Sequence, residues 1–339
     1  MDHSPSLQQY LLFGNLKRNY LISPSQKALI DIPGGSLLFS AIGLKLWHPN
    51  AGLISRVGED YPQEWLEKLK SFGFDTRGIH ILPRTIDLRS FVAYTDLENR
   101  TFDSPISHFA NLGLQLPKDL LGYTVPVPQI DSRTQPNDLT LRASDIPTDF
   151  LDATAAHLGP TDYLTHSLLP SVLHRGNIST ITLDPGSGYM NPTFWDNLPV
   201  LVKGITAFLC NEEKLNSLFQ GRTKDPWEMA ETIASWGAEI VVIKRGGRGQ
   251  FVYEQATRGR WMVPAYPARI TNPTGCGDAY NGGFLVGYRD TYNPVEAALC
   301  GTISASFVIE GDSPFYALDA LPGLAKARLE NLRESVRRI

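Results

Sequence analysis

The chain has 339 residues and a net charge of −4, and its 42% hydrophobic and 19% charged content is typical of a globular protein. A mildly acidic chain is poorly suited to bind nucleic acid or an anionic membrane, so we expect neither as a partner. Three unpatterned cysteines and the absence of any run of 18 apolar residues favour a cytoplasmic protein without disulfides or a membrane span.

The N-terminal part alternates short apolar segments with turn residues. In chain order it predicts strands at 10–13, 19–22 and 28–32, a helix at 37–47, a strand at 52–57, a helix at 61–72 and a strand at 90–96. The pattern is lost from about 104 to 149, where prolines accumulate. We interpret this stretch as a surface insertion with short helices.

The C-terminal half returns to alternating strands and helices. It predicts strands at 179–183, 207–210 and 240–244, a hairpin from 249, and helices at 226–236, 278–288 and 294–308. This alternation indicates a single α/β domain over 1–339, with a doubly wound, mostly parallel sheet covered on both faces. Ligands bind beyond the carboxyl ends of such strands, where Asp184, Asn211 and Lys244 stand.

The strongest chemical signal is the segment NPTGCGDAYNGGF at 272–284. Gly275 and Gly277 leave backbone N–H groups open at the start of a helix, where unpaired donors and the helix dipole attract an anion. A carboxylate beside an anion site would repel the anion unless it takes part in the chemistry. Asp278 can take the proton from an attacking hydroxyl while the N–H groups hold a phosphoryl group. A glycine-rich helix cap without chemistry is the alternative, and Gly282-Gly283 would then serve close helix packing.

The segment at 272–284 resembles the C-terminal signature of the ribokinase-like (PfkB) carbohydrate kinases, in which Asp-Thr-x-Gly-Ala-Gly-Asp precedes a Gly-Gly-Phe helix. Other segments match that family in order and spacing: the di-glycine at 34–35, VGED at 57–60, the stretch 69–78, NRTF at 99–102, NEE at 211–213 and KRGGRG at 244–249. The resemblance implies a ribokinase-like fold with a small β-sheet lid from about 15–32 and 86–104.

The resemblance also implies roles for single residues. The phosphoryl donor would be ATP with Mg²⁺, the acceptor would be a sugar-like molecule under the lid, and two copies of the chain would form a homodimer through the lid. Asp278 would be the base, and the backbone of Gly275, Cys276 and Gly277 would form the anion hole. Nucleotide contacts are implied at Asn211, Lys244, Gly246, Gly249 and Thr274. Acceptor contacts are implied at Asn19, Gly34, Gly35, Phe39 and Arg100, and a water-mediated metal contact at Glu213.

Several positions depart from the family pattern. Asn19 and Phe39 replace the acceptor-binding Asp and Asn, Lys214 replaces the Glu of Asn-x-x-Glu, Lys244 replaces a Thr, and Asn272 replaces the Asp of a monovalent-cation site. Because Phe39 can pack but cannot hydrogen-bond, we expect an acceptor that is not held as ribose is. Basic residues on or near the predicted lid form either a solvated face or a binding surface for a carboxylate or phosphate on the acceptor: Lys17, Arg18, Arg89 and Arg100.

We therefore predict an ATP-dependent kinase that transfers the γ-phosphoryl group to a hydroxyl of a sugar or sugar-like acceptor. Two alternatives stay open: a nucleoside kinase of the same fold, and a non-catalytic binding protein on the kinase scaffold. The Arg-Gly-Gly element at 245–247 is a single copy in an acidic chain and does not indicate RNA binding.

Overall fold

Two β-sheets organise the computed structural model, which describes residues 8–97, 99–125 and 130–339. The strands are β1 Tyr10–Phe13, β2 Lys17–Ile22, β3 Ala28–Gly34, β4 Gly52–Gly58, β5 Asp75–Leu82, β6 Arg89–Tyr94, β7 Arg100–Thr101, β8 Ala155–Leu158, β9 Thr180–Leu183, β10 Ala207–Asn211, β11 Ile240–Lys244, β12 Gln250–Glu254, β13 Gly259–Val263 and β14 Arg337–Arg338. The helices are α1 Ser36–Lys45, α2 Gln63–Ser71, α3 Pro105–Asn111, α4 Tyr163–Leu173, α5 Leu198–Val202, α6 Glu212–Leu218, α7 Pro226–Ser235, α8 Cys276–Thr291, α9 Pro294–Val308 and α10 Leu324–Arg333.

The large sheet has the strand order β14-β13-β12-β11-β10-β9-β8-β1-β4-β5. Its strands are parallel from β11 through β5, and the β12, β13 and β14 pairings are antiparallel. Alternate residues of β1 belong to two different hydrophobic clusters, one built with α1, α8 and α9 and the other with α4, α6 and α7. Helices therefore cover both faces, and the predicted doubly wound α/β fold is confirmed.

The sequence patterns located most of this sheet but missed several elements, among them α5, α6, α10 and β14. The predicted helix at 294–308 and the strand at 240–244 have the same bounds in the structure, and Asp225 caps α7 by accepting a hydrogen bond from the Trp227 N–H at 2.8 Å. No strand was predicted at β5 or β8, and no helix at α4. β8 has four residues and contains His157, and α4 contains Pro170, so neither matches a regular pattern.

The small sheet has the strand order β3-β2-β6-β7, with β2 and β6 parallel and the two outer pairings antiparallel. Its strands come from the two segments in which the lid was expected, with β3 extending to Gly34. We call it the lid sheet. One of its faces carries Leu21, Val92 and Tyr94, and the hydroxyl of Tyr94 lies 3.1 Å from the Thr274 hydroxyl of the large domain.

The other face of the lid sheet is covered by the start of the predicted insertion. Buried side chains of β2 and β6 pack there against Phe109 of α3 and Leu120, with Leu112, Leu116 and Tyr123 at the margin. The segment 105–123 is therefore a second layer of the lid and not a loose surface loop. Residues 126–129 of the predicted insertion lie outside the described ranges.

Helices α1, α8 and α9 pack closely enough that glycine is required at the contacts. A Cβ on Gly43 would overlap the Ala279 carbonyl, and a Cβ on Gly282 would overlap the Ser40 carbonyl. The close-packing role considered for Gly282-Gly283 is thus correct, and it fixes the position of the α8 N-terminus. In the described part of the chain, no helix is both long and apolar enough to cross a membrane.

Candidate active site

The N-terminus of α8 lies where the sequence placed the anion hole. Gly275 precedes the helix with φ +81°, a conformation that other residues rarely adopt. The N–H of Cys276 donates to the Pro273 carbonyl at 3.3 Å, and that of Asp278 donates to the Gly275 carbonyl at 3.1 Å. Within the described residues, the N–H of Gly275 donates no hydrogen bond. In the same part of the chain, the N–H of Gly277 donates only to the Cys276 thiol, which is a weak acceptor. These two groups are the donors left for an anion.

Asp278 is partly buried at this helix start, and its pKa is raised from 3.8 to about 6. Burial is the main cause, and the negative charge of Asp184 adds to it, while Lys244, Lys214 and Lys17 act in the opposite direction. The carboxylate is therefore ionised at neutral pH but binds a proton far more readily than an exposed aspartate. A general base is most effective when its pKa is near the working pH.

Four polar side chains meet behind the helix start, and we call them the Asp184 cluster: Asp184, Lys214, Lys244 and Asn281. The Asp184 carboxylate accepts from Lys244 at 2.6 Å, from Lys214 at 2.9 Å and from the Asn281 amide at 2.9 Å. Burial raises the pKa of Asp184, but the two ammonium groups outweigh it and hold the pKa below its usual range. The cluster therefore contains two cations and one anion and has a net charge of +1.

Of the residues predicted to contact the nucleotide, Lys244 belongs to this cluster, Asn211 ends β10, and Gly246 and Gly249 lie in the turn after β11. Lys244 is the last residue of β11, where it lies beside Asn211 of β10, and it forms an ion pair with Asp184. Asn211 caps α6, where its side chain accepts from the Lys214 N–H at 2.8 Å. Gly246 and Gly249 adopt φ +57° and +77° in the turn before β12, and a Cβ on Gly249 would overlap the Val263 carbonyl.

The predicted metal contact does not fit the structure. Glu213 is exposed on α6, and its neighbour Lys214 presents an ammonium group to the site. Among the described residues, no group of three or more His, Cys, Asp or Glu side chains could hold a metal ion. Mg²⁺ is usually held by one or two carboxylates together with substrate phosphates, and the carboxylate here is already paired with two lysines.

On the acceptor side, the structure brings Asn19, Gly34 and Gly35 together. Asn19 is 4% exposed, and a Cβ on Gly34 would overlap its amide group. Gly35 has φ +100° and lies against the Asn15 carbonyl, so that α1 begins directly at this turn. Phe39 behaves differently from the prediction, because it is 5% exposed and its ring lies under Gly275, where a Cβ would overlap it. Phe39 therefore supports the anion-hole loop and does not present its ring to the cleft.

The four basic residues considered for an anionic acceptor divide into two pairs. Arg18 is bound to Asp31 through two hydrogen bonds of 2.9 and 2.7 Å, and Arg89 pairs with Asp87 at 2.7 Å. Lys17 is solvent-exposed as a residue and makes no ion pair within the described residues; desolvation of its ammonium group lowers its pKa, and the charge of Asp278 opposes that shift. Arg100 is also exposed, and its charge lowers the pKa of the Cys276 thiol, which burial raises. Lys17 and Arg100 are therefore the lid cations close to the α8 N-terminus.

Sequence reasoning missed two members of the Asp184 cluster. Lys214 had been noted only as a departure from the family pattern, and Asn281 only as part of a helix. The sequence did contain one signal for such a cluster. Asp184 directly follows β9 and Lys244 ends β11, and a buried carboxylate requires cationic or hydrogen-bonding partners. The identity of those partners depends on the tertiary packing of α6 and α8.

Comparisons with known proteins agree with this fold. Residues 186–319 match the family model described as pfkB family carbohydrate kinase. A cytidine kinase of Thermococcus kodakarensis is 28% identical over 286 residues, covering 82% of this chain and 87% of the relative. A 5-dehydro-2-deoxygluconokinase of Geobacillus kaustophilus is 24% identical over 311 residues, covering 86% of this chain and 82% of the relative. The crystal structure of a fructokinase from Vibrio cholerae with bound fructose, ADP and calcium superposes with a TM-score of 0.68 at 18% identity, covering 96% of this chain and 99% of the other.

The fold and these relatives define a ribokinase-like phosphotransferase that acts on hydroxyl groups. The chain is similar to sugar and nucleoside kinases, and the pfkB match lies in its C-terminal half; this similarity implies ATP as the phosphoryl donor.

Proposed function

We propose that the chain transfers the γ-phosphoryl group of ATP to a hydroxyl of a sugar-like acceptor, with Asp278 as the general base. The observation that carries the proposal is the environment of Asp278. Its carboxyl group has a pKa of about 6 and follows Gly277 at the N-terminus of α8, where the charges of Lys17, Lys214 and Lys244 all act on it.

The chemistry assigns one role to each part of this arrangement. The acceptor oxygen attacks the γ-phosphorus while its proton passes to the Asp278 carboxylate, and the bond to the bridging oxygen breaks so that ADP leaves. Negative charge on the phosphoryl oxygens is stabilised by the N–H groups of Gly275 and Gly277 and by the neighbouring ammonium groups. Positioning and charge stabilisation supply most of the catalysis in such a reaction.

An acceptor that carries a carboxylate or a phosphate is supported by the lid. Lys17 and Arg100 are exposed cations near the base, whereas Arg18 and Arg89 are already paired with aspartates. One curated relative is named as a kinase of a gluconate derivative, and a gluconate is a sugar acid. A charge-assisted hydrogen bond contributes about 1.5–3 kcal/mol, enough to select an anionic acceptor.

The test is an ATP-consumption screen with neutral sugars, sugar acids, sugar phosphates and nucleosides. We expect turnover with an anionic acceptor, and Lys17→Met should raise KM for that acceptor about tenfold or more while KM for ATP stays nearly unchanged. Arg18→Met is the matched control, since Arg18 lies next in the same strand but is paired with Asp31. Turnover of neutral acceptors alone would refute the anionic acceptor, and no turnover with any hydroxyl compound would refute the proposed reaction.

A nucleoside acceptor is the second candidate, and the similarity to the cytidine kinase favours it. The structure removes one argument for it, because Phe39 is buried under Gly275 and does not offer its face to a base. Turnover of nucleosides in the same screen, unaffected by Lys17→Met, would establish this alternative.

A further inference from the structure

The two lysines of the Asp184 cluster differ in how many of their N–H donors are in use. An ammonium group has three such donors. Lys244 uses all of them, on Asp184 at 2.6 Å, on the Asn281 side-chain oxygen at 2.8 Å and on the Gly277 carbonyl at 3.4 Å. Two of these acceptors belong to α8, so Lys244 holds the start of that helix against the sheet. Its donors are not available to a ligand without breaking those bonds.

Lys214 uses two donors, on Asp184 at 2.9 Å and on the Pro185 carbonyl at 2.7 Å. Among the described residues, no acceptor is present for its third N–H. Burial opposes the charged form of Lys214, but Asp184 and other nearby negative groups, including Asp278, raise its pKa, so the side chain stays cationic. The Lys214 side chain is 15% exposed, so it is not fully enclosed by the protein.

The position of this spare donor relates it to the reacting groups. The charge of Lys214 acts on Asp278, and the charge of Asp278 acts in turn on Lys214. The N-terminus of α8, with the N–H groups of Gly275 and Gly277, is part of the same surroundings. The sequence led us to expect an acidic metal contact on this part of α6, and the structure instead supplies a positive charge directly from the protein.

We propose that Lys214 binds a phosphate oxygen of the nucleotide through its third N–H, while Lys244 braces α8 and makes no direct contact with the nucleotide. The nucleotide contact predicted at Lys244 is thereby reassigned to Lys214. The proposal rests on the proposed function, since it requires ATP to occupy the site. If Lys214 contacts the phosphate directly, its contribution to ATP affinity should be the same with and without a divalent ion.

The experiment measures ATP binding to the full chain by titration calorimetry, with Mg²⁺ and with EDTA in place of Mg²⁺, in the absence of any acceptor. Lys214→Met should raise the Kd for ATP roughly 10- to 100-fold under both conditions, as expected for loss of a charge-assisted hydrogen bond to a phosphate. Lys214→Arg should retain most of the affinity. Lys214→Gln keeps a donor for the Pro185 carbonyl without the charge, and it should weaken binding like Lys214→Met. The exposed Lys326→Met on α10 is the matched control and should leave the Kd unchanged.

Thermal unfolding of the same variants separates binding from stability. Lys244→Met should lower the melting temperature more than Lys214→Met, because it removes three hydrogen bonds instead of two. An unchanged Kd in Lys214→Met and Lys214→Gln would overturn the proposal while leaving the kinase function intact. An effect of Lys214 that vanishes in EDTA would also overturn it, since the contact would then be made through the metal. Failure of the unmodified chain to bind ATP at all would refute the kinase function itself.

Discussion

Asp278→Asn is expected to stabilise the folded chain while it removes most of the activity. The carboxyl pKa is about 6 in the folded protein and 3.8 without the protein environment, so the folded state holds this proton more tightly than the unfolded state does. The stability contribution of Asp278 is therefore most favourable below pH 3.8 and is lost as pH rises through about 6. One pKa unit corresponds to about 1.4 kcal/mol, so ionising Asp278 lowers the free energy of unfolding by at most roughly 3 kcal/mol.

Urea unfolding at pH 8 and near pH 4 measures this cost. At pH 8, Asp278→Asn should raise the free energy of unfolding by about 1–3 kcal/mol, and near pH 4 the difference should be small because the native carboxyl is already protonated there. Turnover should fall by about 10²–10⁴-fold with ATP binding retained, since the amide cannot accept the proton. Asp319→Asn, at an exposed position, is the control and should change neither quantity. A variant that is less stable than the parent at pH 8, or one that keeps its turnover, would show that Asp278 is not a desolvated base.

Three further predictions concern the same helix start. The kcat/KM should decrease as pH falls through about 6, and Lys214→Met should move that transition to higher pH because Lys214 lowers the pKa of Asp278; an unmoved transition would separate the two groups. Gly275→Ala should lower the free energy of unfolding by at least about 1–2 kcal/mol because of the positive φ at this position. The new Cβ would also overlap the Phe39 ring, and a Gly275→Ala, Phe39→Ala double mutant should relieve that overlap. If the two changes in unfolding free energy are strictly additive, the contact is contradicted. K⁺ should activate the enzyme weakly or not at all, since Asn272 is neutral and its side-chain oxygen accepts from the Thr274 N–H at 3.1 Å; a strong K⁺ requirement in the ATP assay would contradict this.

The fold was predictable because its central strands are buried on both faces. Such strands appear as continuous apolar runs, as in β1 and β11, and α7 combines a capping aspartate, Asp225, with an amphipathic pattern. Two of the elements that escaped prediction, β8 and α4, contain a residue that breaks a local rule. His157 is tolerated inside β8 because it is kept neutral by burial and hydrogen-bonds the Thr182 hydroxyl at 2.9 Å of the next strand.

The candidate site was predictable in its backbone and less so in its side chains. Glycine spacing around Asp278 indicates a helix N-terminus with open N–H groups, whatever surrounds it. The pairing of Lys214 and Lys244 through one carboxylate depends on how α6 and β11 lie against β9, and no spacing along the chain encodes that distance. Arg18 illustrates the same limit, because its pairing with Asp31 across two strands separates it from its neighbour Lys17.

The two-layered construction of the lid has a consequence for self-association. A sheet of four short strands with one uncovered apolar face would be a surface that a second copy of the chain could cover. Here the segment 105–123 already buries Tyr20, Ile22, Phe91 and Ala93, so that face of the lid has no remaining need for a partner. The lid sheet therefore does not expose this face as an apolar surface, and the homodimer expected through the lid stays a prediction that would have to use other surfaces of the lid.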